Sequence, residues 1–216
     1  MKSSTILKNY TVSGKSENIL AAKTASYRKS FYRYGNTSKA LKWKSKIAQN
    51  IRFREITKDI DFEGKSILDI GCGFGDLISH ISGKTRKFDY TGVDAVFEFV
   101  EAARKKFPKH RFLVRDYFGN PFRKKYDVVV SSGALNSKVP GVMKYRKYAI
   151  KTAFEHANYA FAFNMAGGYP EPKNSGKSRI YYVDSLEMFK FCLSLTSKII
   201  FRHNYRKNDF TIIMCR

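Results

Sequence analysis

The segment from Ile67 to Leu77, which reads ILDIGCGFGDL, constrains the fold more than any other part of the chain. Its first residues are mainly apolar, as in a short strand that is buried in a parallel sheet. A turn with three glycines follows. Glycine is needed where the backbone has positive φ or passes close to a ligand, because a Cβ atom would obstruct both. The segment therefore predicts a strand, a ligand-binding turn and the start of a helix.

Strands and helices continue to alternate after this turn. Further strands are predicted at 90–93, 111–114, 126–130 and 159–164, with helices near 76–82, 97–107 and 141–157. This alternation implies right-handed crossovers and a mostly parallel sheet. The C-terminal end differs, because two strand patterns at 198–204 and 210–215 are joined by a short turn. They predict an antiparallel hairpin at the end of the sheet.

The length of 216 residues favours a single domain with a short appendage. Residues 1–38 are polar, basic and rich in Ser, Thr and Asn, which predicts an N-terminal arm. The domain is then expected to span residues 39–216. Its first helix should begin at Thr37 or Ser38, which are good N-cap residues, and continue to about residue 59.

Acidic residues follow the predicted strands at the positions where a nucleotide would bind. The glycine pattern is G-x-G-x-G with its last glycine at Gly75, whereas the dinucleotide fingerprint requires a glycine where this chain has Asp76. Asp94 lies about 20 residues farther on, at the end of the next strand, where an acid can accept hydrogen bonds from ribose hydroxyls. Asp116 ends the third strand. A nicotinamide cofactor is therefore disfavoured, while a ribose-containing ligand is indicated.

With these residues in this order, the chain resembles the class I S-adenosylmethionine (SAM)-dependent methyltransferases over about residues 39–216. ILDIGCGFG is similar to their first motif. The resemblance implies an α/β fold, a three-layer Rossmann-like sandwich with a mostly parallel seven-stranded sheet and a C-terminal antiparallel hairpin. A narrower resemblance to a group of uncharacterised bacterial methyltransferases rests on the helix before the motif, in particular on Trp43 and Arg52. That group implies no substrate.

The resemblance also implies SAM as the cofactor and a set of residues that bind it. Asp69, Gly71 and Gly73 would hold the methionine part, Asp94 the ribose, and Asp116 would face the adenine amino group. The complete implied set is Asp69, Gly71, Cys72, Gly73, Asp94, Ala95, Asp116, Tyr117 and Ser132. Cys72 is expected to fill space in the turn rather than to act as a nucleophile.

The motifs that mark particular methyl acceptors are absent. Ser132–Leu135 replaces the Asp/Asn-Pro-Pro-Tyr/Phe motif of amino-methylating enzymes, and neither a Pro-Cys nucleophile nor a Lys-Asp-Lys-Glu set is in register. The sequence therefore identifies no catalytic residue. Candidate acceptor-side residues follow the fourth and fifth strands: Asn136, Lys138, Asn164 and Tyr169. The Gly/Pro-rich segment 167–177 is interpreted either as a lid or as an ordinary surface loop.

The three cysteines are widely spaced and form no C-x-x-C pair, so neither a disulfide framework nor a zinc site is expected. This cysteine pattern favours a reducing, cytoplasmic location. The basic N-terminus leaves an organellar matrix as an alternative. No apolar run is long enough to predict a membrane span.

The charge balance is unusual, with 41 lysines and arginines against 18 acidic residues and a net charge of +23. It predicts a polyanionic partner, most simply RNA, held by the arm and the helix near 141–157. The basic residues singled out are Lys8, Lys15, Lys23, Arg28, Lys29 and Arg33 in the arm, and Lys144, Arg146, Lys147 and Lys151 in the helix. The alternative is a solvated face in a lysine-rich chain.

Three functions are therefore compared. Charge favours a SAM-dependent methyltransferase whose acceptor is RNA or a ribonucleoprotein component. The first alternative is a small-molecule methyltransferase whose basic charge is incidental. The second is a catalytically silent protein that keeps the SAM fold for a structural or assembly role, and it predicts that SAM does not bind.

Overall fold

The computed structural model describes residues 14–174 and 179–216, with side chains described from Ala21 onward except that of Asn204. The helices are α1 (Gly14–Tyr34), α2 (Lys46–Thr57), α3 (Leu77–Ser82), α4 (Phe97–Lys106), α5 (Val142–Glu155) and α6 (Ser185–Leu193). The strands are β1 (Lys65–Ile70), β2 (Phe88–Asp94), β3 (Arg111–Val114), β4 (Tyr126–Ser132), β5 (Ala157–Gly168), β6 (Val183–Asp184), β7 (Ile199–Arg206) and β8 (Asp209–Cys215).

Seven of the strands form a continuous path in the order β3-β2-β1-β4-β5-β8-β7, and the short β6 pairs with β5 off this path. Strands β1 to β5 pair in parallel, whereas β8 is antiparallel to both β5 and β7. This confirms the predicted sheet. The strand order reverses between β1 and β4, and a crevice at the carboxyl ends of such strands is where open α/β folds bind ligands.

Helices cover both faces of the sheet, which confirms the predicted three layers. On one face α2, α3 and α4 bury apolar side chains such as Ile56, Leu77 and Val100. On the other face α5 and α6 do the same with Ile150 and Met188. Because both faces are covered, the central strands are apolar along most of their length rather than alternating.

The C-terminal hairpin has a tighter turn than the sequence indicated. β7 continues to Arg206 and β8 begins at Asp209, so Lys207 and Asn208 alone connect them. Asn208 has a φ of 60°, in the left-handed region that asparagine adopts more readily than most residues. The hairpin inserts β8 beside β5, where it pairs from Ala166–Asp209 to Ala160–Cys215.

The helix before the glycine turn begins later than predicted. Its N-cap is Ser45, whose Oγ accepts a hydrogen bond of 3.1 Å from the amide of Ala48, so the prediction of Thr37 or Ser38 is wrong. Residues 37–42 form turns instead. Ile47, expected on the buried face, is 71% exposed, and the helix buries Phe53 and Ile56.

Part of the predicted N-terminal arm is a helix that packs on the domain. Tyr27 and Phe31 of α1 contact the ring of Phe99 in α4 edge-on, with ring centroids 5.8 and 6.0 Å apart. Arg28 of α1 donates a hydrogen bond of 2.7 Å to Glu98. Within the described ranges, no helix combines the length and apolar character required to cross a membrane.

Removal of the α2 cap should destabilise the protein measurably. Ser45→Ala leaves the amide of Ala48 without its partner, and we expect the free energy of unfolding to fall by about 1 kcal/mol. Urea denaturation followed by circular dichroism measures this change. Ser79→Ala is the matched control, because Ser79 is exposed within α3. An equal effect of both substitutions would show that Ser45 does not act as a cap.

Candidate functional site

The glycine turn folds back onto the end of β2. The amides of Gly71 and Cys72 both donate to the carbonyl of Val93, at 2.8 and 3.0 Å. Gly73 has a φ of 54°, and a Cβ atom there would lie 2.9 Å from a methyl group of Leu41. The backbone at residue 73 therefore needs glycine both for its conformation and for space.

Asp94, at the end of β2, connects this turn to the next helix. Its carboxylate accepts hydrogen bonds from the amide of Gly73 at 3.0 Å and from the amide of Val96 at 2.9 Å. Burial raises the pKa of Asp94, while the two amides act in the opposite direction. Each carboxylate oxygen keeps a lone pair, so Asp94 can still accept hydrogen bonds from a ligand with two neighbouring hydroxyls.

Asp69 is buried near the carboxyl end of β1. Its side chain is 2% exposed and accepts a hydrogen bond of 2.7 Å from the hydroxyl of Tyr90 in β2. Burial raises the pKa of Asp69 to about 7, and the charge of Asp94 acts in the same direction. The structure thus brings Asp69 close to Asp94.

The thiol of Cys72 is a packing group. Its Sγ lies 2.9 Å from the position that a Cβ atom of Gly92 would occupy, so it fills the space above β2. Burial raises the pKa of Cys72 well above its ordinary value. A thiol that stays protonated is a poor nucleophile, so Cys72 contributes shape rather than reactivity.

The predicted cofactor-binding residues that follow β2 and β3 are separated in the structure. Ala95 follows Asp94 directly, and the side chain of Asp116 is exposed beyond the end of β3. Tyr117 points into the core instead, where its ring packs edge-on against Phe118 with centroids 5.4 Å apart. Its hydroxyl has no hydrogen-bond partner in the described part of the chain. The side chain of Tyr117 is therefore not brought to the turn with the other residues.

Two of the predicted acceptor-side residues stabilise the backbone around the turn after β4. Asn164 lies within β5 rather than after it, because β5 continues to Gly168. It is 1% exposed, accepts a hydrogen bond of 3.1 Å from Ser132 and donates one of 3.1 Å to the carbonyl of Arg52. Asn136 accepts a hydrogen bond of 2.8 Å from the amide of Ala166. The prediction that Asn164 follows the strand is wrong, since its side chain joins β4, β5 and α2.

The other two acceptor-side residues are on the surface. Lys138 is exposed, and its amide donates to the carbonyl of Arg179 at 2.9 Å. Tyr169 is 60% exposed, and its amide donates to the imidazole of His203 at 2.9 Å. In the predicted loop 167–177, the first two residues belong to β5, and residues 175–177 lie outside the described residues.

Helix α1 and the segment after it cover the turn that follows β4. The ammonium of Lys23 donates to the carbonyl of Ala134 at 3.4 Å. The indole of Trp43 lies 3.1 Å from the position that a Cβ atom of Gly133 would occupy, and the guanidinium of Arg52 lies over the same indole at 4.7 Å from the ring centroid. Trp43 and Arg52 were singled out in the sequence, whereas no sequence pattern placed Lys23 at this edge.

Arg146 was predicted to contact phosphate at the surface, but the structure places it in the interior. It is fully buried, and its guanidinium donates to the carbonyls of Leu135 at 2.7 Å and Tyr181 at 2.9 Å. The prediction is therefore wrong for this residue, because a helix position that looks basic in sequence faces the interior. Its neighbour Lys147 forms an ion pair of 2.8 Å with Glu187.

Substitution of Gly73 tests the geometry of the turn. Gly73→Val places a branched side chain at a positive φ and against Leu41, so we expect SAM binding to fall below detection in calorimetry. Gly83→Ala is the control, since a Cβ atom there meets only ordinary contacts of 3.5 Å or more. Unchanged SAM affinity in Gly73→Val would show that the donor does not bind at this turn.

Comparison with known proteins agrees with this geometry. A family model described as "Methyltransferase domain" matches residues 67–151, from β1 to α5. A protein of Mycobacterium tuberculosis (strain ATCC 25618 / H37Rv), named "Putative methyltransferase Rv1506c", is 29% identical over 154 residues. That alignment covers 69% of this chain and 92% of the relative.

Solved methyltransferase structures share the fold. The magnesium protoporphyrin IX methyltransferase of Synechocystis PCC 6803, with bound SAM, superposes with a TM-score of 0.57 at 16% identity over 78% of this chain and 77% of that chain. The complex of DhpI with S-adenosylhomocysteine (SAH) has a TM-score of 0.65 at 13% identity over 91% of this chain and 96% of that chain. Residues 67–151 thus match a methyltransferase domain, and the chain shares its fold with SAM-dependent methyltransferases, in agreement with the resemblance of its sequence.

Proposed function

We propose that this protein binds SAM at the carboxyl ends of β1, β2 and β4 and transfers its methyl group to a small-molecule acceptor. The observation that carries the proposal is the carboxylate of Asp94, which is fixed beside the glycine turn by the amides of Gly73 and Val96. A fixed acid next to a turn without side chains is suited to the two hydroxyls of a ribose.

The residues at this edge fit SAM. In the proposal Gly71, Gly73 and Cys72 contact it through their backbone, Asp94 accepts hydrogen bonds from the ribose, and Asp116 and Ala95 lie on the adenine side. SAM supplies an activated methyl group on a sulfonium, so the protein needs mainly to align the acceptor and exclude water. Helix α1, in the proposed arm 1–38, and Trp43 contribute to that exclusion by covering the turn after β4.

A small acceptor is favoured over RNA by the way this edge is enclosed. The carbonyls of Ala134 and Leu135 are occupied by Lys23 and Arg146, and Trp43 lies on Gly133. An acceptor therefore has to fit between α1 and the turn, which suits a compact molecule. The solved Synechocystis relative, whose name gives magnesium protoporphyrin IX, is an example of a small-molecule methyltransferase with this fold. A cytoplasmic location is part of the same proposal.

RNA stays as a second candidate because the net charge is +23. The structure weakens the proposed RNA surface on α5, since Arg146 is buried and Lys147 is paired with Glu187. Lysines of the arm are still available to such a surface; Lys29 of α1, for example, is exposed.

Calorimetry with Asp94→Ala tests the donor site. The substitution removes the acceptor of the ribose hydroxyls, and we expect SAM to bind more weakly by about 1–3 kcal/mol. Asp89→Ala removes an exposed acid at the opposite end of β2 and should leave the affinity unchanged. If the unsubstituted protein does not bind SAM, the proposed enzymatic activity is contradicted and a catalytically silent, structural role is favoured.

Salt dependence separates the two acceptor classes. A small-molecule enzyme should retain bulk cellular RNA only weakly in a filter assay, with no dependence on Lys29. If RNA is the acceptor, its retention should be strong at low salt and fall steeply between 50 and 200 mM salt, because phosphate contacts release counterions. Strong RNA retention that is reduced by Lys29→Gln would favour RNA over a small molecule as the methyl acceptor.

A further inference from the structure

Four cationic side chains lie close to the proposed methyl-transfer site: Lys23, Lys42, Arg146 and Arg179. We call this group the cation cluster. Two of its members hold consecutive carbonyls of the turn after β4, since Lys23 donates to Ala134 and Arg146 donates to Leu135. The cluster therefore borders the segment where the acceptor is proposed to bind.

The outer half of the cation cluster is organised around one hydroxyl. Ser26 accepts a hydrogen bond of 2.8 Å from the ammonium of Lys42 and one of 3.1 Å from the guanidinium of Arg179. Ser26 lies three residues after Lys23 on α1, so both side chains are on the same face of the helix. With two donors on its oxygen, the hydroxyl can direct its own proton to a further acceptor.

Position 179 is also fixed relative to the acceptor loop. The carbonyl of Arg179 accepts a hydrogen bond of 2.9 Å from the amide of Lys138, and the amide of Tyr181 donates one of 3.0 Å to the carbonyl of Asn136. These two bonds join the segment at 179–181 to the residues after β4. Residue 179 is thus joined by hydrogen bonds to the loop after β4, and Lys23 binds the Ala134 carbonyl of the same loop.

The inner half of the cation cluster carries a charge without a counterion. Arg146 is fully buried, one of its terminal nitrogens has no hydrogen-bond partner, and no carboxylate pairs with it in the described part of the chain. Burial lowers the pKa of Arg146 to about 10. A buried charge without a partner is costly, and a bound anion would offset that cost.

The cations also act on one another. Burial lowers the pKa of Lys23, and the charge of Arg146 adds to this effect, while Asp94 and Asp116 oppose it. Burial likewise lowers the pKa of Lys42, together with the charges of Arg179 and Lys23. Neither acid is within ion-pair distance of Lys23 in the described residues. The cations are therefore close enough for their charges to act on one another, although Asp94 and Asp116 act on Lys23 more strongly than Arg146 does.

From this arrangement we infer that the cation cluster binds an anionic group, a carboxylate or a phosphate, of the methyl acceptor. The anion lies against Lys23 and Ser26 on α1, with Lys42 and Arg179 on its outer side, while the buried charge of Arg146 lies behind them. The acceptor is thus a small molecule with a negative group close to the methylated atom. This inference rests on the proposed function, because the acceptor must reach the SAM site.

The experiment uses the full chain saturated with SAH and two anions as probes, inorganic phosphate and malonate, titrated by calorimetry. The test variant is Lys42→Gln/Arg179→Gln, in which both substituted side chains are exposed. The matched control is Lys87→Gln/Lys109→Gln, which removes the same charge from exposed residues that precede β2 and β3, at the opposite edge of the sheet. Ser26→Ala is a milder variant that leaves all four cations in place. SAM affinity is measured in each protein.

We expect the unsubstituted protein to bind at least one of the anions, and the test variant to bind it at least tenfold more weakly with SAM affinity unchanged. The control should bind the anion as the unsubstituted protein does, and Ser26→Ala should fall between the two. Three results would overturn the inference: neither anion binds, both double variants lose affinity equally, or the test variant retains it. Failure of the proposed function is distinguishable, since SAM itself would then not bind.

Discussion

The carboxylate of Asp94 ties together the elements on which the donor site depends. It accepts the amide of Gly73 in the turn after β1 and the amide of Val96 at the start of α4. Since Asp94 is the last residue of β2, a single side chain fixes two loops relative to the strand between them. A carboxylate that accepts backbone amides is held in one orientation, and the hydrogen bonds offset part of the cost of its burial.

Residues that precede β1 in the chain cover the glycine turn and the turn after β4. Leu41 contacts the glycine turn, Trp43 lies on the turn after β4, and Lys23 reaches the carbonyl of Ala134. Methyl transfer from a sulfonium needs alignment and the exclusion of water more than it needs reactive side chains. An edge closed by α1 and the segment after it provides both, and the cation cluster borders the same turn.

Local patterns predicted the strands and the glycine turn well, because each depends on residues close together in sequence. The strand predicted at 111–114 has these same bounds in the structure, and the strand predicted at the start of the segment from Ile67 to Leu77 is β1. Capping is local in the same sense: the side chain of Asp184, directly before α6, accepts a hydrogen bond of 2.8 Å from the amide of Leu186, two residues farther on.

The features that the sequence did not predict depend on tertiary partners. Nothing near Arg146 shows that its guanidinium will find the carbonyls of Leu135 and Tyr181 in the interior. Asn164 was placed after β5 because the strand was expected to end earlier, yet pairing with β8 extends it. Helix α1 was interpreted as an arm, although Tyr27 and Phe31 are spaced by one helical turn and both pack on Phe99.

The most direct test of the account is a crystal structure of the protein with SAH. The account predicts that both ribose hydroxyls lie within hydrogen-bond distance of Asp94 and that the methionine part follows the backbone of residues 71–73. The homocysteine sulfur should then face the turn after β4, beneath α1. SAH bound elsewhere, or a ribose that contacts other residues while Asp94 keeps only its two amide partners, would contradict it.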